Sequence, residues 1–224
     1  MFIGHFGIGF GARAAAPRVS LGTLFLAAQF LDLLWAALLL AGVERVRIEP
    51  GATVVMPLVA EHYPYSHSLL VVAGWALLLG LGYLYLRRDR RGAAVVGLAV
   101  LSHWLLDAIV HRPDLPLYPG SAVLWGLTLW DSLPATLALE LALFCGGVWF
   151  YLRATRPRDR IGSWGLAGLA GLLLLIYAGN LFGPPPPSVE AIGWVGQLQW
   201  LLVLSGYWVD AHRCNRSVPG APLA

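Results

Sequence analysis

The chain has 224 residues, of which 58% are hydrophobic and only 12% charged, a balance that excludes a soluble domain with a polar surface. Residues 1–224 therefore read as a single integral membrane domain with no room for a second, soluble one. The net charge of +3 comes from 15 arginines and no lysine, which excludes lysine nucleophiles and Schiff bases, and their place in short loops excludes a nucleic-acid partner.

The chain opens on a Gly- and Phe-rich segment, 2–14, too short to cross a bilayer, which predicts an interfacial or re-entrant helix. No cationic region precedes it, so it is not a signal peptide and is expected in the mature chain. Its His5 would lie about 12 Å deep if the helix ran inward from Arg13. That ring is either a partly buried interfacial group or a ligand turned toward a cavity. Apolar spans are predicted at 19–43, 66–87, 93–111, 132–153, 162–182 and 190–212, giving an all-α, polytopic bundle of six transmembrane helices. The first span carries Asp32, about 21 Å beyond Arg18. An ionisable group at that depth is costly and marks function by default.

The connection 44–65 runs into EHYPYSHSL, where Pro64 prevents a regular helix and lets His62 and His67 converge from a bent entry segment. These rings are metal ligands or ordinary members of a Tyr-rich interfacial turn; Ser66 is a candidate helix cap. The third span contains LSHWLLDAIVH, which sets His103, Asp107 and His111 at steps of four on one helix face. Imidazole nitrogen and carboxylate oxygen are ligands for divalent zinc, iron or manganese. The alternative is a polar stripe hydrogen-bonded to neighbouring helices. The prolines of 112–131 predict an ordered, non-helical cap. Glu140, in the fourth span, has no charge partner within a turn and is a candidate general base, protonated acid or ion-pathway residue. Asp131 would cap the helix beginning at Ser132. The stiff GPPPP at 183–187 ends the fifth span. Asp210 is expected to pair with Arg213, and His212 to be a solvated interfacial ring. Cys145 lies in a span and Cys214 in the tail, 213–224, so no disulfide is expected.

Arginine-rich segments (Arg13 and Arg18; Arg87, Arg88, Arg90 and Arg91; Arg153, Arg156, Arg158 and Arg160; Arg213 and Arg216) alternate with loops holding only Arg45, Arg47 and Arg112. The positive-inside rule then puts both termini in the cytoplasm. Counting at 1.5 Å per residue places His103, Asp107, Glu140, His67 and His111 about 18–30 Å from the cytoplasmic arginines, in the outer half with Asp32.

These motifs resemble the YdjM-like family of membrane-bound, metal-dependent hydrolases. That family carries an early His, an acidic pair ending the first span, then HRGxTHS and SHxxxD. The matching positions are His5, Asp32 in QFLD, His62 and His67 in HYPYSHS, and His103 with Asp107 in SHWLLD, all within residues 1–120. Gln29 stands at the first acidic position, and Tyr63 and Pro64 where the family has Arg-Gly. The helices of 121–212 add nothing specific to the resemblance. It implies a metal-dependent hydrolase. The expectation is an enzyme of the bacterial cytoplasmic (inner) membrane holding one or two divalent ions, zinc foremost. His67, His103, Asp107 and Asp32 would be ligands, with His111 and His5 as further candidates, and Glu140 or His62 would move the proton. A lipid-like, amphiphilic ester or phosphoester among the membrane lipids would be the substrate. The alternatives are a proton- or cation-coupled transporter and a non-catalytic metal-binding membrane protein.

Overall fold

The computed structural model describes residues 1–216; the rest of the expected tail, 217–224, lies outside the described residues. Among the described residues eight α-helices carry the fold: α1 (Ile3–Ala15), α2 (Leu21–Leu40), α3 (Leu69–Arg87), α4 (Arg90–Val110), α5 (Leu133–Ala154), α6 (Arg160–Phe182), α7 (Val189–Gln197) and α8 (Gln199–Ala211). Helices α2 to α6 are each long and apolar enough to cross a membrane. The last expected span is covered by α7 and α8 together, interrupted at Leu198, whose N–H bonds both Trp194 O (3.3 Å) and Val195 O (3.0 Å). Both pieces pack on α2.

Local chemistry sets the helix ends. Side-chain oxygens of Ser20, Asp89, Ser132, Asp159 and Ser188 each accept the N–H three residues on, starting α2, α4, α5, α6 and α7. Ser132 therefore caps α5, while Asp131 sits in the preceding 3-10 turn, Leu129–Asp131. Helix α2 stops at Gly42 (φ 69°), where Gly42 N bonds Leu39 O (3.0 Å) and Val43 N bonds Leu38 O (2.9 Å). That paired closure needs the left-handed backbone glycine adopts freely, and it turns the chain back over the bundle.

Of the two placements expected for 2–14, at the interface or dipping inward, α1 takes the inward one. It enters the bundle, packing on α5, α2 and α4, with Ile3, His5, Phe6 and Phe10 at 0–1% exposure. Glycines permit this. A Cβ on Gly147 would lie 2.0 Å from Gly7 O, and one on Gly7 2.5 Å from Leu143 O, so the two backbones touch. Below His5, Phe6 and Phe10 pack edge-on against Phe25, at centroid separations of 4.9 and 4.8 Å.

Short antiparallel pairs complete the ends. Strands β1 (Arg45–Ile48) and β2 (Leu58–His62) pair in the first loop, and β3 (Leu115–Pro116) with β4 (Leu124–Trp125) in the second. Strand β5 (Thr155–Pro157) pairs with β6 (Arg213–Asn215), so the start of the expected tail is a structured strand. At that end Asn215 Nδ2 bonds Pro17 O (2.9 Å), and a Cβ on Gly92 would touch Val19. The four arginine groups thus converge on one end of the bundle, and the histidine motifs on the other.

Candidate metal centre

Helix α4 supplies the base of the centre. The step of four in SHWLLD puts His103 Nε2 3.1 Å from Asp107 Oδ2, with both residues at 0–1% exposure. His103 Nδ1 lies 2.7 Å from the carbonyl of Ala28. A carbonyl only accepts, so Nδ1 carries a proton, and in the neutral ring the lone pair lies on Nε2. That Nε2 is buried with no hydrogen-bond partner.

One turn along α2 from Ala28, Asp32 brings Oδ1 to 3.5 Å from the same Nε2. His67 enters from the turn before α3. Its N–H bonds Tyr63 O (3.1 Å), and its carbonyl accepts Trp104 Nε1 of α4 (2.8 Å). These bonds hold its Nε2 3.6 Å from Asp107 Oδ2 and 3.8 Å from Asp32 Oδ1.

The four N···O separations run from 3.1 to 3.8 Å. A tetrahedral ion with bonds of about 2.0–2.2 Å holds its ligands about 3.3–3.6 Å apart. Lone pairs facing carboxylates at such distances repel one another until a cation lies between them. The donor set suits a divalent ion, and Asp32, His67 and His103 each offer a ligand atom within 4.8 Å of the other two, a spacing such an ion can close. Asp32 is the most open of the four side chains at 21% exposed, against 5% or less for the others, so the centre opens along Asp32.

Asp107 also faces a second group. Its Oδ1 lies 3.1 Å from His5 Nε2 and 2.7 Å from the Met1 ammonium. The His5 ring stacks on His103 at 3.7 Å and 7°, and its Nδ1 is buried without a partner. The ligand atoms of His5, His103 and Asp107 lie within 4.8 Å of one another, as do those of Asp32, His67 and His103.

Other expected site residues fall elsewhere. His111 caps the end of α4 and belongs to neither group, with Nδ1 3.0 Å from Asp114 Oδ1. Asp114 also accepts the Tyr63 hydroxyl (2.8 Å). His62 is exposed at the end of β2, paired with Arg45, because hairpin register carries it outward. Glu140, expected as a general base, protonated acid or ion-pathway residue, reaches the polar interior, where Oε2 accepts the N–H groups of Phe2 (2.9 Å) and Gly4 (3.2 Å) and so caps α1. Ser66 caps no helix; its hydroxyl bonds Glu44. Asp210 pairs with Arg13 (3.5 Å) and accepts Tyr151 OH (2.8 Å), rather than meeting Arg213. His212 is not simply solvated: Nδ1 lies 2.7 Å from Asp159 Oδ2, and that bond helps hold the Asp159 carboxyl below the usual range.

The roles of three contributors escaped the sequence reading, which took one of them, Ser66, for a helix cap. The Ala28 carbonyl is invisible to any motif, since only the α2–α4 packing aims it at His103. Glu44 (2% exposed) had no signal beyond following a helix-ending Gly, and Ser66 gave one only as the residue before His67. No family model matches the chain, and neither does any curated protein or solved structure, so what the centre can do rests on its own side chains.

Proposed function

We propose that the chain is an integral membrane metal-dependent hydrolase, as its resemblance to the YdjM-like family implies, acting on an ester or phosphoester of a lipid-like substrate. The observation that carries the reading is the buried, unpartnered Nε2 of His103, set against Asp32 and Asp107 at ligand spacing. His67, His103, Asp32 and Asp107 would hold one divalent ion, zinc by preference of the donor set, with His5 and the far oxygen of Asp107 offering a second position. A divalent ion held there would lower the pKa of bound water and polarise an ester or phosphoester oxygen. The chain's residues supply the rest. The Ala28 carbonyl orients His103, Trp104 fixes the His67 backbone, and Asp32 lines the open side where a substrate head group would arrive.

The aromatic layer of Phe6, Phe10 and Phe25 supports this reading over a proton or cation path. It fills α1's surroundings between the centre and the Arg13–Asp210 pair. The arginine pattern supports a location in the bacterial cytoplasmic membrane, with both termini inside and the centre in the outer half.

Elemental analysis of purified protein, followed by turnover assays on phospholipid and prenyl-phosphate substrates, tests the proposal. Stoichiometric zinc with release of head group or phosphate is expected. A protein that takes up no divalent metal refutes it, and bound metal without hydrolysis would leave the scaffold in place of the enzyme.

A further inference from the structure

We infer that Glu44, acting through Ser66, is a positioning residue that keeps Nε2 of His67 free for the ion; this rests on the metal-centre reading. The closure of α2 at Gly42 folds Glu44 inward, its N–H sharing Leu38 O (3.2 Å) with that of Val43. Oε1 accepts the backbone N–H groups of Tyr65 (2.8 Å) and Ser66 (2.9 Å), and Oε2 accepts the Ser66 hydroxyl (2.5 Å). Ser66 Oγ in turn lies 2.7 Å from His67 Nδ1, with Ser66 and His67 at 0% and 4% exposure.

A hydroxyl has one proton to give. Because Ser66 gives it to Glu44, its oxygen can only accept from His67, which fixes the imidazole proton on Nδ1. The lone pair then lies on Nε2, the atom that faces Asp32 and Asp107. His103 reaches the same state through the Ala28 carbonyl. Each histidine of the four-ligand set thus has its own acceptor behind it, as ligating imidazoles require.

Glu44→Gln inverts this chain without changing its shape. The amide oxygen takes the side of the two backbone N–H groups, since the NH2 there would set donor against donor. The NH2 then faces Ser66 and can only donate, so the Ser66 proton turns to His67 Nδ1. The imidazole proton moves to Nε2 and blocks the ligand lone pair.

The test uses full-length, metal-stripped protein in nanodiscs with 15N-labelled histidine. Two-bond 15N–1H correlations read the tautomer of His67, assigned by its loss in His67→Asn, and zinc titration reads affinity. Wild type should show Nδ1–H. Glu44→Gln should show Nε2–H and bind zinc about 10–100-fold more weakly. Ser66→Ala, which keeps both backbone bonds to Glu44, should leave His67 without a fixed tautomer; Glu44→Gln added to it should change nothing further. This second variant decides the matter if Glu44→Gln does not fold. A His67 that stays Nδ1–H in either variant, with affinity within about twofold of wild type, overturns the inference. Wild type that binds no zinc would instead overturn the metal centre, and the tautomers of the metal-free protein would still report what Glu44 does.

Discussion

His103 has its proton committed to Ala28 and its lone pair to two carboxylates, so its loss should remove the ion rather than loosen it. His103→Ala and Asp107→Ala are each expected to abolish stoichiometric metal and the thermal stabilisation that comes with it. His62→Ala and His111→Ala, outside both ligand groups, should retain metal. The double variant His103→Ala/Asp107→Ala keeping its full metal content would put the site elsewhere. Glu140 calls for a different pair of variants. Its oxygen accepts two N–H groups at the start of α1, so Glu140→Ala should cost about 1–3 kcal/mol in unfolding, while Glu140→Gln keeps a carbonyl acceptor and should cost less. Equal losses in the two variants would show that the cap is not what Glu140 contributes. At this scale the sequence made His103 and Asp107 legible, because helical spacing alone puts them on one face. It could not show that His111, one turn further, meets Asp114, because the helix ends there.

Helix α1 is the element whose place the sequence left most open, at the interface or dipping inward. Thirteen residues are too few to cross a bilayer, and nothing in composition shows that a short helix will be lined on several sides by others. Its glycines carried the missing information, but only in combination with Gly147 on α5. Gly147→Val should therefore force the two backbones apart, costing about 1–3 kcal/mol and weakening metal binding through His5. Gly146→Val, whose Cβ would meet nothing within 4 Å, is the control and should leave metal binding unchanged. If both variants melt alike in detergent, the close approach is not what seats α1. The contact between the start of α6 and the end of α8 offers a pH test. The hydrogen bond from His212 and the N–H of Gly162 lower the Asp159 pKa, so the support this carboxylate gives is present near neutral pH. It fades as pH falls from the ordinary value of about 4 through the lowered one. The melting-temperature gap between wild type and His212→Ala should narrow over that acid range, and a gap that widens there would contradict the assignment.

For the whole molecule, the long apolar spans were legible because hydrocarbon thickness dictates their length, whereas the hairpins β1–β2 and β3–β4 were not, being too short to show a periodic pattern. The remaining question is which end faces the cytoplasm. Arginine groups from four separate segments meet at one end, tied by β5–β6 and by Asn215 bonding Pro17, while Asp32, His67, His103 and Asp107 lie toward the other. Since arginine is retained on the cytoplasmic side, the proposed metal centre should sit in the outer half and open toward the outer leaflet. Reporter fusions after Arg91 and after Arg160 should then be cytoplasmic, and one within 114–120 external. Cysteine labelling gives an independent reading without truncating the chain. In a background of Cys145→Ala and Cys214→Ser, His62→Cys lies on the exposed hairpin end and should react with a membrane-impermeant maleimide in intact cells. Arg158→Cys, in the same background, should react only after the cells are opened. Labelling in the reverse order, or a cytoplasmic signal from the 114–120 fusion, would turn the molecule over and point its centre at the cytoplasm.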